Sequence, residues 1–426
     1  MKISISELYD HFLSCKGVCI DTRKITEDVL FVALRGEKFD ANTFAKEALA
    51  KGAKYALIDN PDYATDERCL LVDDSLKALQ LLANYHRQTL RIPVIGLGGS
   101  NGKTTTKELV NSVLGQKYKT YATRGNLNNH IGVPLTLLEI DSSVEIAIVE
   151  LGANHQQELW ELCQIGEPTH GLLTNIGKEH LEGFGSLEGV RDAEGELFDF
   201  LEKTGGMVVY NGLDETISEM VSERNLAYTL RYAHNATLLT ETPFVKYQDE
   251  QGNIHTTHLM GRYNFDNIRA AIALGRLFGV HDAQIHAGVC LYVPTNNRSQ
   301  LMQRGSNTIL MDAYNANPSS MEEALRMFDR WEASKKVVIL GDMFELGAEA
   351  EAEHEALGKI IAECQFDYVL LVGSLMQNAL KYLPRAYYFP DKLGLHVWLQ
   401  DHVMTNTHFL VKGSRGMGLE SVLNVL

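Results

Sequence analysis

The residues most able to do chemistry lie in a glycine-rich stretch, GLGGSNGKTTTKELV, at positions 96–110. An apolar run precedes this stretch, and apolar residues at helical spacing follow it. A strand, a tight turn and a helix start in this order would place backbone N–H groups and the positive end of the helix dipole around a phosphate. Lys103 would then reach the β- and γ-phosphates, and a following hydroxyl could meet Mg²⁺. The stretch predicts a nucleoside-triphosphate site.

One position departs from the usual phosphate loop. The first glycine, five residues before Gly102, is replaced by Leu97, and Gly99 instead begins the shorter pattern Gly-Ser-Asn-Gly-Lys-Thr. A dinucleotide fingerprint fails too, because Asn101 stands where a third glycine is required. A chance glycine-rich turn is the alternative, which the Lys-Thr-Thr string disfavours. The predicted nucleotide-binding residues of the loop are Gly99, Ser100, Asn101, Gly102, Lys103, Thr104 and Thr105.

Composition and charge exclude several classes of protein. The net charge of −16 argues against nucleic acid or an anionic membrane as a partner. No apolar run approaches the ~20 residues that a membrane-spanning helix needs. Six scattered cysteines lack paired metal-ligand spacing and are expected to be free thiols. Together with a polar start that does not resemble a signal peptide, they predict a cytoplasmic protein.

Alternating strand and helix patterns predict an α/β fold of three domains. A chain of 426 residues is too long for one ordinary core. Residues 1–90 are expected to form a small N-terminal α/β domain. Residues 91–296 are expected to form the central ATP-binding domain, a P-loop-type doubly wound parallel sheet. Residues 297–426, which follow a polar, turn-prone break, are expected to form a C-terminal Rossmann-like α/β domain.

Polar side chains follow two predicted strands, at the edge where open α/β sheets collect ligands. The run Ile146–Val149 is followed by Glu150, which could hold Mg²⁺ beside the phosphates. The run Gly171–Ile176 is followed by His180. This histidine could equally be a metal ligand or a solvated loop residue.

Three further polar stretches have a structural explanation as well as a functional one. The amide-rich stretch 123–129 is a plain turn by default. Asn264 and Asn267 lie at the start of an alanine-rich helical pattern and could simply cap it. The stretch 312–321, DAYNANPSSM, follows another predicted strand, and its Asn-Pro pair favours a turn.

Together these segments resemble the Mur ligases, the ATP-dependent amide-forming enzymes of peptidoglycan precursor synthesis. The resemblance covers all three predicted domains. Residues 99–108 match the family's shortened phosphate loop, which accounts for the missing glycine. The string at 312–321 is more specific and is similar to the branch that joins D-alanyl-D-alanine to UDP-N-acetylmuramoyl-tripeptide. Further matches to this branch lie at 123–129, 131–134, 150–155, 341–347 and 412–415.

The resemblance implies a role for each matching position. Lys103 would hold the β- and γ-phosphates, while Asn264 and Asn267 would lie beside the adenine. Arg298 and Asp312 would approach the nucleotide when the third domain closes. The implied Mg²⁺ ligands are Thr104 and Glu150 for one ion and His180 for a second. The implied substrate-binding residues are Thr22 and Arg23 in a uridine-nucleotide site, with Asn128, Asn129, Tyr314, Asn315 and Asn317.

One position departs from the family pattern. The family places a carbamylated lysine, a ligand of the second Mg²⁺, in an Ala-Lys-Gly-Glu setting, where this chain has Ala-Glu-Gly-Glu at 193–196. Our hypothesis is that Glu194 serves the same cation, through water or a shifted backbone, because the flanking residues match. The alternative is a solvated helix residue and a weakly held second metal.

The implied reaction activates a carboxylate with ATP. The terminal carboxylate of the tripeptide is phosphorylated, and the amine of D-alanyl-D-alanine then attacks the acyl phosphate, which releases phosphate beside ADP. Two alternatives stay open: another amide ligase on the same scaffold, or a nucleotide-binding protein whose ligase site decayed at Glu194. We expect a monomer.

Overall fold

A computed structural model of the chain describes residues 3–295 and 297–426. Residue 296, the last position of the predicted central domain, lies outside the described residues. Three sheets dominate the fold, and each is covered by helices. Among the described residues, no helix is both long and apolar enough to cross a membrane.

The first sheet is small and parallel. Its four strands, in order across the sheet, are Val18–Cys19, Leu30–Val32, Tyr55–Ile58 and Cys69–Leu71. Its helices are Ile5–Leu13, Ala45–Ala50 and Ser75–Thr89, with short 3-10 turns at Thr22–Lys24, Ala41–Phe44 and Pro61–Tyr63 and a two-stranded hairpin, Arg35–Gly36 with Phe39–Asp40. The helix Ser75–Thr89 also packs against helices of the second unit, so one apolar core runs through both.

The second sheet is parallel throughout and carries the phosphate loop. Its six strands, in order, are Tyr228–Tyr232, Met207–Asn211, His170–Leu173, Val94–Gly98, Ile146–Glu150 and Thr120–Ala122. Its helices are Lys103–Leu114, Gly132–Leu138, Glu158–Gly166, Leu181–Phe184, Leu187–Thr204, Glu215–Ser222, Arg262–Leu277 and Asp282–Leu291. The strand order reverses at Val94–Gly98, and such a switch point is where open α/β sheets bind ligands.

The third sheet is parallel except at one edge. Its strands, in order, are Gln300–Arg304, Asn307–Asp312, His408–Lys412, Lys336–Gly341, Tyr368–Val372 and Tyr387–Phe389, and only the first pair is antiparallel. Its helices are Pro318–Arg330, Ala350–Glu363 and Lys392–Asp401, with 3-10 turns at Gly347–Glu349, Met376–Tyr382, Arg415–Met417 and Leu419–Asn424. The predicted three-domain α/β fold is thus confirmed, while the residue at which each domain begins stays a prediction.

The structure differs from the sequence-based expectations in two places. The strand expected at Gly171–Ile176 ends at Leu173, because Asn175 leaves the sheet and bonds the phosphate loop. A three-stranded antiparallel sheet, Thr237–Thr240, Lys246–Gln248 and Ile254–Thr256, was not predicted. Its strands are short and mostly exposed, so they lack the apolar pattern that marks a buried strand.

Candidate active site

The glycine-rich stretch folds into the predicted strand, turn and helix, with the helix Lys103–Leu114 beginning directly after Gly102. Gly99 and Gly102 have φ angles of 106° and 80°, a region that glycine adopts without strain. A Cβ atom on Gly102 would lie 2.7 Å from Oδ1 of Asn267. The turn therefore needs glycine both for its conformation and for its close approach to a neighbouring helix.

Lys103 is a cation among carboxylates, and 14% of its side chain is exposed. Its Nζ donates to the carbonyl of Gly99 and lies 3.5 Å from Oε2 of Glu179. Burial opposes its charge, but the carboxylates of Glu179 and Glu194 outweigh burial and raise the pKa of Lys103. The lysine is therefore a fixed positive charge at the mouth of the loop, which suits it to bind phosphate.

Thr104 and Glu150 meet at the start of the phosphate-loop helix. The Thr104 hydroxyl donates to Oε2 of Glu150 at 2.9 Å, and Nδ2 of Asn128 donates to Oε1 at 2.9 Å. Lys107, whose side chain is fully buried, lies 3.7 Å from Oε2 of the same carboxylate. Sequence reasoning missed Lys107, although it lies four residues after Lys103 on the same helix face. A hydroxyl and a carboxylate in contact are suitable ligands for a hard cation.

Glu194 lies behind the phosphate loop, on the helix Leu187–Thr204. Its Oε2 accepts a hydrogen bond from the backbone N–H of Gly99 at 2.6 Å, and its Oε1 is buried with no hydrogen-bond partner. Burial raises the pKa of this carboxyl, although the nearby charge of Lys103 opposes the shift. Glu194 is therefore not a solvated helix residue, and its free oxygen is available for a further ligand.

Glu179 is a second buried carboxylate that sequence reasoning missed. Only 5% of its side chain is exposed, and its Oε1 has no hydrogen-bond partner. Its Oε2 lies 3.8 Å from Nε2 of His180 and faces Lys103. Its place next to the predicted metal ligand His180 was the signal available in the sequence.

Glu196, two residues after Glu194, has a structural role. Its carboxylate accepts from the N–H groups of Gln157 and Trp160, at 2.6 and 2.8 Å, and so caps the helix Glu158–Gly166. We expect Glu196→Gln to destabilise the protein by about 1–3 kcal/mol, because these bonds lose a charged acceptor. The expected result is a lower Tm in scanning calorimetry.

The matched control is Glu188→Gln, an exposed carboxylate in the first turn of the same helix, Leu187–Thr204. We expect a change below about 0.5 kcal/mol for this variant. Equal Tm values for the Glu196→Gln and Glu188→Gln proteins would contradict the capping role.

His180 joins the second unit to the third. Its backbone adopts a φ of 43°, unusual for a residue with a Cβ, and its Nδ1 lies 2.6 Å from Oε2 of Glu345. This close contact with His180 is the main reason why the pKa of Glu345 is lowered. The other ring nitrogen faces Glu179, so the histidine lies between the two carboxylates.

The third unit contacts the phosphate loop directly. Nδ2 of Asn317 donates to Oδ1 of Asn101 at 2.9 Å. Asp312, at the end of its strand, accepts from the N–H of Ser299 at 2.8 Å and from Nζ of Lys412 at 2.5 Å. The guanidinium of Arg298 stacks 3.5 Å from the ring centre of Tyr314, a cation–π contact. The loop and the third unit therefore face each other across one cleft.

Asn264 and Asn267 connect the helix Arg262–Leu277 to the phosphate-loop helix. Nδ2 of Asn267 donates to Oδ1 of Asn264 at 3.0 Å, and Thr106 donates to Oδ1 of Asn267 at 3.0 Å. Nδ2 of Asn264 in turn donates to the Met260 carbonyl. Both asparagines are buried and line the cleft, and neither caps the helix, which begins after Gly261 without a side-chain cap.

A cleft of about 320 Å³ brings most of the predicted residues together. From the prediction it collects Ser100, Asn101, Gly102, Lys103, Thr104, Thr105, Asn128, Asn129, Glu150, His180, Asn264, Asn267, Arg298, Asp312, Tyr314, Asn315 and Asn317. Gly99 and Glu194 do not line the cleft. Thr22 and Arg23 lie in the first unit, outside the cleft, where the guanidinium of Arg23 pairs with Asp21 at 2.8 Å.

This fold and cleft define a class of protein, the nucleotide-dependent ligases built from three α/β units. Family models match three segments: Mur ligase family, catalytic domain, over residues 14–87; Mur ligase middle domain over 97–275; and Mur ligase, glutamate ligase domain, over 297–415. A UDP-N-acetylmuramoyl-tripeptide–D-alanyl-D-alanine ligase of Bacillus subtilis (strain 168) is 35% identical over 429 residues, covering 96% of this chain and 93% of that protein. The chain belongs to the Mur ligase family.

Other relatives are similar to this chain over nearly its full length. The ligase of the same name from Escherichia coli (strain K12) is 35% identical and covers 99% of this chain and 95% of its own length. A crystal structure of MurF from Acinetobacter baumannii is 29% identical, with a TM-score of 0.86 over 100% of this chain and 98% of that one. A MurF ligase from Thermotoga maritima in complex with ADP is 24% identical and shares the fold, with a TM-score of 0.84 over 97% of each chain.

Proposed function

We propose that this chain joins D-alanyl-D-alanine to UDP-N-acetylmuramoyl-tripeptide with ATP and releases ADP and phosphate. The observation that carries the proposal is the cleft itself. It places Lys103 and the Thr104–Glu150 pair opposite Asp312 of the third unit. The names of the full-length relatives support this choice of substrates.

The donor groups of the cleft fit Mg²⁺. Thr104 and Glu150 offer a hydroxyl and a buried carboxylate in contact with each other. Near them, Glu179 and Glu194 each have a buried oxygen without a hydrogen-bond partner. Thr104 and Glu150 would hold one ion. His180 and Glu194 would serve a second, through water or after a shift of the side chains, because the ligand atoms of Glu179, His180 and Glu194 do not all lie within 4.8 Å of one another. Bound Mg²⁺ would neutralise phosphate charge and polarise the transferred phosphoryl group.

Two groups of residues would act on the reactants. The turn N–H groups and the Lys103 ammonium would bind the β- and γ-phosphates and so reduce their repulsion toward an incoming carboxylate. Asp312, already held by Lys412, would position the nucleotide from the third unit. Contact between this unit and the phosphate loop would keep water away from the acyl phosphate.

Several finer properties belong to the same proposal. Thr22 and Arg23 would bind the uridine nucleotide in a first domain that ends near residue 90. The second and third domains would divide near residue 296. We further propose a cytoplasmic monomer, and the free state of all six cysteines is compatible with a reducing compartment.

The test is phosphate release from ATP in the presence of each substrate alone and of both. We expect release only when UDP-muramoyl-tripeptide and D-alanyl-D-alanine are both present, with the joined peptide detected by mass spectrometry. Turnover with a different amine would indicate another amide ligase on this scaffold. Binding of ATP without turnover would indicate a decayed ligase site.

The carboxylate of Glu194 gives a separate prediction. We expect Glu194→Ala to lower kcat by about 10²-fold and to raise the Mg²⁺ concentration needed for half-maximal rate. Glu194→Gln retains an acceptor for the Gly99 N–H, so we expect it to raise the Mg²⁺ requirement without disturbing the loop. Glu188→Gln, on the same helix, is the matched control. If both Glu194 variants kept the wild-type rate and Mg²⁺ dependence, a metal role for this residue would be wrong.

A further inference from the structure

A second cluster of metal-ligating side chains lies outside the catalytic cleft. Asp249, His255 and His286 place one ligand atom each within 4.8 Å of one another. Asp249 and His255 lie on the hairpin of the small antiparallel sheet, and His286 lies on the helix Asp282–Leu291. None of the three lines the cleft, so the proposed ligase reaction leaves this cluster without a function.

Asp249 directs one carboxylate oxygen at both histidines. Its Oδ1 accepts from the backbone N–H groups of Gln251 and Asn253, at 3.0 and 2.8 Å, and this fixes the turn. Its Oδ2 lies 2.8 Å from Nε2 of His255 and 3.7 Å from Nε2 of His286. Only 2% of the Asp249 side chain is exposed. A buried carboxylate with two imidazole nitrogens close to one oxygen is a ready set of cation ligands.

The nitrogen of His286 that faces Asp249 is unsatisfied. Its side chain is 3% exposed, and its Nε2 is buried with no hydrogen-bond partner. The opposite nitrogen, Nδ1, is 2.9 Å from the hydroxyl of the buried Tyr247. An outer hydrogen bond of this kind orients a histidine that binds metal through its other nitrogen. A buried polar atom without a partner needs such an explanation, because nearly all such atoms are paired.

The two imidazole rings are held in parallel. Their centres are 4.2 Å apart, with an angle of 16° between the ring planes. Ligand atoms bound at 2.0–2.1 Å to a tetrahedral ion lie about 3.3 Å from each other. The observed separations from Asp249, 2.8 and 3.7 Å, lie on either side of that value. Because a metal ion lies in the plane of an imidazole that binds it, the partly exposed ring of His255 would turn out of the stack for all three atoms to bind one ion.

We propose that Asp249, His255 and His286 bind one divalent transition-metal ion of the Zn²⁺ type. Two imidazoles and a carboxylate suit Zn²⁺ better than Mg²⁺ or Ca²⁺, which prefer oxygen ligands alone. A surface pocket lined by these residues, with Gln251, Asp282 and Cys290, leaves room for a fourth ligand. The ion would join the hairpin to the helix Asp282–Leu291, which packs against the phosphate-loop helix. Its role would be structural.

The test is zinc binding by the full-length protein after chelation and dialysis, in excess Mg²⁺ and ADP so that the cleft is occupied. We expect one Zn²⁺ per chain by elemental mass spectrometry, a higher Tm with Zn²⁺, and the visible absorption of four-coordinate Co²⁺ when Co²⁺ replaces it. In Asp249→Asn and His286→Gln we expect the bound zinc to fall at least tenfold. His281→Gln, at the exposed start of the same helix, should bind zinc like the wild type.

If the wild type binds no Zn²⁺ above a tenth of an ion per chain, the three residues form only a hydrogen-bonded cluster. Zinc retained equally by all variants would place the ion elsewhere. If His286→Gln does not fold, zinc binding by His255→Gln, a change at a partly exposed position, still tests the proposal. The Co²⁺ spectrum of the wild type tests it as well. No readout depends on turnover, so failure here leaves the proposed ligase activity untouched.

Discussion

Replacing Lys103 with methionine is expected to lower kcat for phosphate release by about 10³-fold, the scale seen when one preorganised electrostatic group is lost. The side chain is the cation of the phosphate loop, and three carboxylates raise its pKa so that it stays charged. Methionine keeps most of the length and removes the charge. The γ-phosphate would then approach a carboxylate substrate without its main fixed counter-charge.

The measurement is steady-state phosphate release with both substrates, with nucleotide binding followed separately. Lys46→Met, on an exposed face of the first unit, is the matched control and should retain the wild-type rate. Circular dichroism and Tm verify that each variant is folded. A Lys103→Met enzyme within about tenfold of the wild-type rate would mean that the phosphates are bound elsewhere.

Glu150→Gln has the second large effect. The variant keeps the size of the side chain but removes the charge that faces Thr104 and the buried Lys107. We expect kcat to fall about 10²- to 10³-fold and the Mg²⁺ requirement to rise, because a hard cation binds an amide oxygen less well than a carboxylate. Rates measured over a series of Mg²⁺ concentrations give both numbers.

Glu145→Gln is the control for this variant. Glu145 is exposed and directly precedes the same strand, so it lies at the opposite end of that strand from Glu150. It should leave both the rate and the Mg²⁺ dependence unchanged. A lower kcat in Glu150→Gln that no Mg²⁺ concentration alters, together with a lower Tm, would mean that Glu150 supports the fold around Lys107 instead of binding metal.

The cleft residues could be located from the sequence because the carboxyl ends of parallel strands meet at one edge of their sheet. Glu150 and Asp312 each end a strand, and the phosphate loop follows the strand at the switch point. A buried strand has a strong apolar pattern, so the residue that follows it is easily located. The family resemblance supplied the pairing of the third domain with the loop, which no local pattern indicates.

Other parts could not be predicted because their causes are tertiary. Lys107 and Glu179 look like solvated charges in the sequence, yet both are buried by helices and loops distant along the chain. For Glu194 the sequence allows either a metal ligand or a solvated residue, and the structure excludes only the solvated residue. The cluster of Asp249, His255 and His286 brings together residues 37 positions apart, without any metal-ligand spacing.

The proposed ligase activity is tested most directly by phosphate release from ATP by the wild-type protein, measured with UDP-muramoyl-tripeptide, with D-alanyl-D-alanine, and with both. We expect one phosphate and one new amide bond per ADP when both are present, and background release with either alone. ATP hydrolysis at the same rate without D-alanyl-D-alanine, or no turnover with both substrates, would contradict it.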